Sequence, residues 1–271
     1  MSKGMTTEDF LATFTTIWKG GYYEGDPLDP MSSSGYGVVG YNSILYTTYL
    51  ACIRPYVTER STAIEIGPGR GAWTKAILAR NPRKIYAVDA AAPEHTRFWE
   101  YVGKDSRLSY ITAKDFSLDG VPEQSADFFF SFGVFCHLRP EHSRQYISSL
   151  YEKMAPGANG FLMIGDFDKY NALATNIDRY SIFKILEGRR MFALALAGYR
   201  IGRFFLPSGF SFEPIDKRQA LNLTGGTAAP WYHFGLDEAC QHIEEVGFRI
   251  VAKDICVNPR DPVIHFRRPA I

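Results

Sequence analysis

The sequence predicts an α/β fold: a seven-stranded, mostly parallel sheet that ends in an antiparallel hairpin, with helices on both faces. Three observations carry that expectation. Between Thr62 and Gly165 short apolar runs alternate with longer amphipathic stretches, the rhythm of successive βαβ units. A glycine-rich turn, Gly67-Pro68-Gly69-Arg70-Gly71, separates the first run from the first amphipathic stretch. Near the C-terminus Phe248–Val257 and Val263–Arg267 read as two strands joined through Asn258-Pro259-Arg260-Asp261-Pro262, a Pro-rich joint suited to a hairpin.

Taken in order, strands are expected at Ala63–Ile66, Lys84–Val88, Leu108–Thr112, Ala126–Phe132 and Gly160–Ile164. Helices are expected at Ala72–Arg80, Pro93–Val102, Pro140–Lys153 and Leu236–Val246. Pro93 and Pro140 suit first helical turns, where the missing N–H would have had no partner anyway. Residues 59–169 and 234–271 make up this core. Before it, residues 1–58 form an N-terminal helical arm, with helix candidates Thr7–Trp18 and Tyr41–Ile53 around a Gly-, Asp-, Pro- and Ser-rich stretch. Residues 170–233 interrupt the core and are too long for a simple loop, so a helical insertion is expected there.

Composition excludes several classes. Thirty basic residues against 29 acidic ones leave a net charge of +1, so no overall field exists to hold a nucleic acid. The four cysteines are far apart, without a CxxC pair or a Cys/His cluster, which argues against a structural zinc and for a reducing compartment. The first residues hold no apolar run of signal or membrane-span length. A cytoplasmic protein is the expectation.

The chemistry-bearing residues gather at the predicted strand ends. Glycines at Gly67, Gly69 and Gly71, with Pro68 among them, let a backbone turn sharply and approach a ligand. Gly67, Gly69 and Ala72 also fit G-x-G-x-x-A, so the loop alone leaves nicotinamide and flavin cofactors open. Glu65, two residues before the first glycine, can accept through the loop from the amino group of a bound amino acid. Asp89, followed by Ala90, closes the second strand where a carboxylate can grip two ribose hydroxyls. Asp115 after the third strand can accept from an adenine amino group while Phe116 packs on the ring.

Ala63-Ile64-Glu65-Ile66-Gly67-Pro68-Gly69-Arg70-Gly71, Val88-Asp89, Lys114-Asp115 and Ser125-Ala126-Asp127-Phe128-Phe129-Phe130-Ser131 together resemble the class I S-adenosylmethionine-dependent methyltransferases. The resemblance implies a Rossmann-like core and S-adenosylmethionine as the cofactor. It also implies that Ser131, Phe132 and Gly133 run beside the cofactor's methionine part.

Methyl transfer from a sulfonium is an in-line displacement, so such an enzyme mainly orients donor and acceptor, and removes a proton when the acceptor is a hydroxyl. His137, after the fourth strand, is the first candidate base. Its other reading is a helix cap or a packed histidine. Asp166 is expected to orient acceptor or histidine, with Asp168 beside it; two carboxylates and a histidine are too few for a hard cation, so no metal is expected. His233, before the last helix, is the second candidate base. The other histidines read as structural.

Trp18, Tyr22, Tyr23, Tyr36 and Tyr41 flank a glycine-rich stretch that reads either as a lid or as an arm packed on the core. Ile182–Leu206 is apolar and basic, which fits a cap over an acceptor, a dimer contact or a membrane surface, the cap being preferred. The sequence therefore points to O-methylation of a small-molecule or glycan-like acceptor. N- or C-methylation and a nicotinamide-dependent oxidoreductase are the alternatives.

Overall fold

The computed structural model describes residues 26–30, 44–173, 217 and 230–270. The helix expected at Thr7–Trp18, the aromatic residues around the glycine-rich stretch and the apolar run Ile182–Leu206 lie outside the described residues.

Seven strands form one sheet: β1 (Thr62–Ile66), β2 (Lys84–Asp89), β3 (Leu108–Thr112), β4 (Ala126–Ser131), β5 (Met154–Met163), β6 (Arg249–Ala252) and β7 (Val263–Arg267). Their spatial order is β3-β2-β1-β4-β5-β7-β6. Strands β1 to β5 pair in parallel, and β7 runs against both β5 and β6. Six strands therefore point one way, and β6 ends on the same edge as β1 to β5.

Alternating side chains explain why both faces are covered. Ala63, Phe128 and Phe130 point to one face, where they bury against Trp73, Ile77 and Phe98; Ile64, Ile66 and Phe129 point to the other, against Ile147, Leu150 and Ile243. A strand covered on both sides has no polar side to show, hence the unbroken run Phe128-Phe129-Phe130. The helices are α1 (Ile44–Thr48), α2 (Ala72–Leu78), α3 (Phe98–Val102), α4 (Pro140–Lys153) and α5 (Leu236–Val246). A π-turn, Tyr49–Ile53, continues α1, and Leu45, Cys52 and Ile53 bury with Ala63 and Phe128. The described end of the arm thus belongs to the core.

Three elements differ by more than two residues from the sequence expectation. The helix expected from Pro93 begins at Phe98, because Arg97 takes a left-handed φ of 54° that breaks the helical ladder. Strand β5 starts at Met154, immediately after α4, and carries a register shift against β4 before Gly160. Strand β6 stops at Ala252 rather than Val257. The connection to β7 therefore spans residues 253–262 and is more than a hairpin turn. Lys169 Nζ ties it down, donating to Asp254 Oδ2 at 2.5 Å and to the Asn258 carbonyl at 2.6 Å.

Gly160 lies where β5 passes the ring of Phe266, and a Cβ built there would sit 2.4 Å from that ring. Gly160→Val is expected to cost about 1–3 kcal/mol through overpacking, read as a lower midpoint in chemical denaturation. An unchanged midpoint would show that Phe266 can move aside freely.

Candidate functional site

The site is built from what the parallel strands leave at their C-terminal edge. Strand order reverses between β1 and β4, so the connections after these two strands diverge and open a crevice. Gly67 begins the loop after β1 with φ +73°, its N–H donating to the Val88 carbonyl at 2.7 Å. A Cβ there would lie 2.1 Å from the Val134 side chain, so the loop after β4 packs directly on it. Gly71 closes the loop with φ +97° and is the N-cap of α2.

Two carboxylates sit at this loop. Glu65, 1% exposed, accepts from Thr74 Oγ1 through Oε2 at 2.6 Å, while its buried Oε1 has no hydrogen-bond partner among the described residues. Burial, with the charge of Asp89 adding to it, pushes its acid up to about 8 against the opposing Thr74 hydrogen bond. Asp89 ends β2, and its Oδ2 accepts the Gly69 N–H at 3.1 Å and its Oδ1 the Ala91 N–H at 2.9 Å. Burial raises its acid too. The two backbone bonds fix the glycine loop against β2 and leave lone pairs on both oxygens for further donors. Tyr110 holds the next residues by donating to the Ala91 carbonyl at 2.8 Å.

Asp115 is exposed beyond β3 and accepts the Ser117 N–H at 2.9 Å, and the Ser117 hydrogen bonds hold its acid below the usual range. Phe116 stacks on His142 at 4.6 Å and meets Tyr146 edge-on at 4.9 Å. Ser131 and Phe132 are committed within the protein. The Ser131 hydroxyl donates to the Ile66 carbonyl at 2.9 Å, and the Phe132 ring packs on Trp73 at 5.0 Å. Pro68 is buried.

The residues after the insertion lie across the ends of β4 and β5. The Tyr232 N–H donates to the Cys136 carbonyl at 2.8 Å, and the Phe234 N–H to the Gly165 carbonyl at 3.0 Å. This brings the two candidate bases to one edge in opposite hydrogen-bonding states. His137 Nδ1 lies 3.0 Å from the Pro230 carbonyl, which can only accept, so Nδ1 carries the proton and Nε2 keeps its lone pair. His233 Nδ1 accepts the Phe167 N–H at 3.0 Å, so its proton sits on Nε2. Burial lowers both pKa values, and both rings are neutral near neutral pH.

Two expectations need correction. Asp166 does not reach a histidine: Oδ1 accepts the Lys169 N–H at 2.9 Å and Oδ2 the Leu236 N–H at 2.7 Å. It caps the helical residues 167–173 and α5 together. Asp168 is exposed and pairs with Lys217 at 2.5 Å. His233, as a ring whose Nε2 already bears a proton, is placed to donate rather than to act as a base.

Arg260 is a site residue that sequence reasoning missed. Its guanidinium lies 4.9 Å over the Trp231 ring, donates from Nε to buried Asp261 at 2.6 Å, and contributes to lowering the pKa of His137. Burial pushes the acid of Asp261 up to about 6. Only the direction of β6 could have signalled that residues 253–262 share the active edge.

Residues 64–162 match a family model described as a methyltransferase domain. That stretch of the chain is a methyltransferase domain. The match decides against the nicotinamide reading that Gly67, Gly69 and Ala72 left open. Solved structures share the fold: an S-adenosylmethionine-dependent methyltransferase from Mesorhizobium loti superposes with a TM-score of 0.56 at 13% identity, over 83% of this chain and 98% of that one. A methyltransferase of the same class from Methanosarcina mazei gives 0.50 at 16% identity, over 80% and 96%. Comparison with curated proteins gives no match. The methyltransferase's own residues fit S-adenosylmethionine, since the buried Oε1 of Glu65, without a partner among the described residues, suits a positively charged ligand at the loop.

Two measurements check these roles. Asp89→Ala removes a charged acceptor of two loop N–H groups, each such bond worth about 1.5–3 kcal/mol, so S-adenosylhomocysteine should bind at least about tenfold more weakly by calorimetry. Unchanged affinity in a folded variant would take Asp89 out of the site. Asp166→Ala should lose about 1–2 kcal/mol of stability per cap while cofactor affinity stays within about twofold. A full-strength fold with lost turnover would return Asp166 to catalysis.

Proposed function

We propose that the enzyme methylates a hydroxyl oxygen of a small-molecule or glycan-like acceptor, with His137 as the general base. The single observation behind this reading is the Nδ1–H···O=C bond from His137 to Pro230, which leaves Nε2 as an acceptor at the end of β4. The cofactor supplies an activated methyl group. The protein's tasks are to orient the acceptor oxygen, take its proton and keep water away. A base fixed in one tautomer, neutral because burial disfavours its cation, is suited to the second task.

Ser131, Phe132 and Gly133 would border the methionine part of the cofactor through backbone, Asp89 and Ala90 the ribose, and Asp115 with Phe116 the adenine. The Phe116 ring has one face on His142, so an adenine would meet its other face or its edge. Residues 170–233 would cover the acceptor, since their return segment crosses the ends of β4 and β5 beside both histidines. Three buried free cysteines, Cys52, Cys136 and Cys240, support a reducing compartment and hence a cytoplasmic location. No helix among the described residues is long and apolar enough to cross a membrane.

The test is a panel of hydroxyl, amine and carbon-acid compounds offered with S-adenosylmethionine, with methylated products read by mass spectrometry. Hydroxyl acceptors should be the ones that gain mass, and His137→Ala should lose about a hundredfold or more in turnover while binding S-adenosylhomocysteine normally. Because the neutral ring is the active form and its pKa lies below the ordinary histidine value, turnover at saturating cofactor should be flat above about pH 6.5 and fall only on the acid side. Methylation of amines that survives in His137→Ala would replace this reading with N-methylation.

A further inference from the structure

Glu65 is costly to leave ionised in the cofactor-free protein. A carboxylate offers about four lone-pair sites, yet only Thr74 donates to this one among the described residues. Helix α2 contributes Thr74, whose hydrogen bonds oppose the rise of the Glu65 acid. On β2, Asp89 adds a second negative charge. On β3, Tyr110 is within electrostatic reach, but its hydroxyl proton is committed to the Ala91 carbonyl. On β4, the paired residue is Phe130. Thr74, which opposes the rise of its acid, and Asp89, which adds to it, are the side chains that act on Glu65 most strongly.

We propose that Glu65 is a carboxylic acid in the free protein and a carboxylate in the cofactor complex, so that cofactor binding expels a proton to solvent. The O–H bond of the acid breaks, its electron pair stays on the carboxyl, and the proton goes to buffer. Positive charge arriving with the cofactor, an ammonium and in the methyl donor also a sulfonium, replaces the proton as the neutraliser. The site then selects its ligand by charge, because a neutral nucleoside cannot replace the proton. The inference depends on the cofactor and is independent of the acceptor atom.

Linkage fixes the sign. Binding that releases a proton strengthens as pH rises until the free-state acid has titrated, then levels off. The folded free protein holds this proton above the ordinary carboxyl value of 4.5, up to about 8, so its stability falls as pH rises between those values.

The test is calorimetric titration of S-adenosylhomocysteine into the full chain at about pH 6.5 in phosphate and in imidazole, whose heats of protonation differ. The two heats should differ by about one released proton per complex, and affinity should tighten close to tenfold per pH unit up to about pH 8. Equal heats and a flat affinity would overturn the proposal. Glu65→Gln keeps an acceptor for Thr74 and has no proton to lose, so its affinity should be flat with pH; undiminished proton release in that variant would also overturn it. Should the variant not fold, the infrared difference spectrum of the wild type decides. Ligand addition should remove the carbonyl band of a protonated acid and add carboxylate bands, and a spectrum without that exchange refutes the proposal.

Discussion

Ala63, Ile64 and Glu65 of β1 pair in parallel with Phe128, Phe129 and Phe130 of β4, and this pairing joins the two halves of the sheet where strand order reverses. Everything at the site follows from it. The loops after β1 and β4 must leave in different directions, and the gap between them is where a ligand can reach the sheet. Ser131 locks the junction by donating to the Ile66 carbonyl, and Val134 fills the space over Gly67. The same pairing forces Glu65 into the middle of a doubly covered sheet, where its charge has no water. Cofactor recognition and the cost of a buried acid thus share one cause.

Much of the fold was legible because parallel strands covered on both faces have no choice but to be apolar runs. β3, β7, α4 and α5 coincide with the ranges read from sequence. The misreadings have local physical reasons. Arg97 adopts a left-handed turn that no residue preference signals, so the amphipathic stretch after Pro93 gives a helix only from Phe98. β5 begins early because pairing with β4 and β7 recruits small and polar residues such as Gly157 and Asn159, which carry no strand pattern of their own. Tertiary pairing there outweighs propensity.

At the site, sequence position revealed which residues reach the edge but not which atoms remain available there. Glu65 and Asp89 were legible as acids at strand ends. That Asp89 organises the loop through Gly69 and Ala91, and that Asp166 spends both oxygens on helix caps, depends on backbone N–H groups whose orientation no residue name reveals. Arg260 escaped notice because a Pro-rich connector reads alike whichever end of the sheet it crosses.

His137 and His233 show how far such backbone choices reach. The two side chains are chemically identical, both are neutral because burial lowers their pKa values, and both belong to the same sheet edge. What separates them is the backbone group each ring nitrogen meets: a carbonyl at Pro230 and an amide at Phe167. A carbonyl claims the Nδ1 proton and frees the far nitrogen to accept; an amide claims the Nδ1 lone pair and makes the far nitrogen a donor. Both backbone groups belong to the zone where residues 230–236 lie across β4 and β5. A shift of that segment would therefore change which histidine can accept a proton without altering any side chain, so the path of the chain out of the insertion governs the chemistry available at the edge.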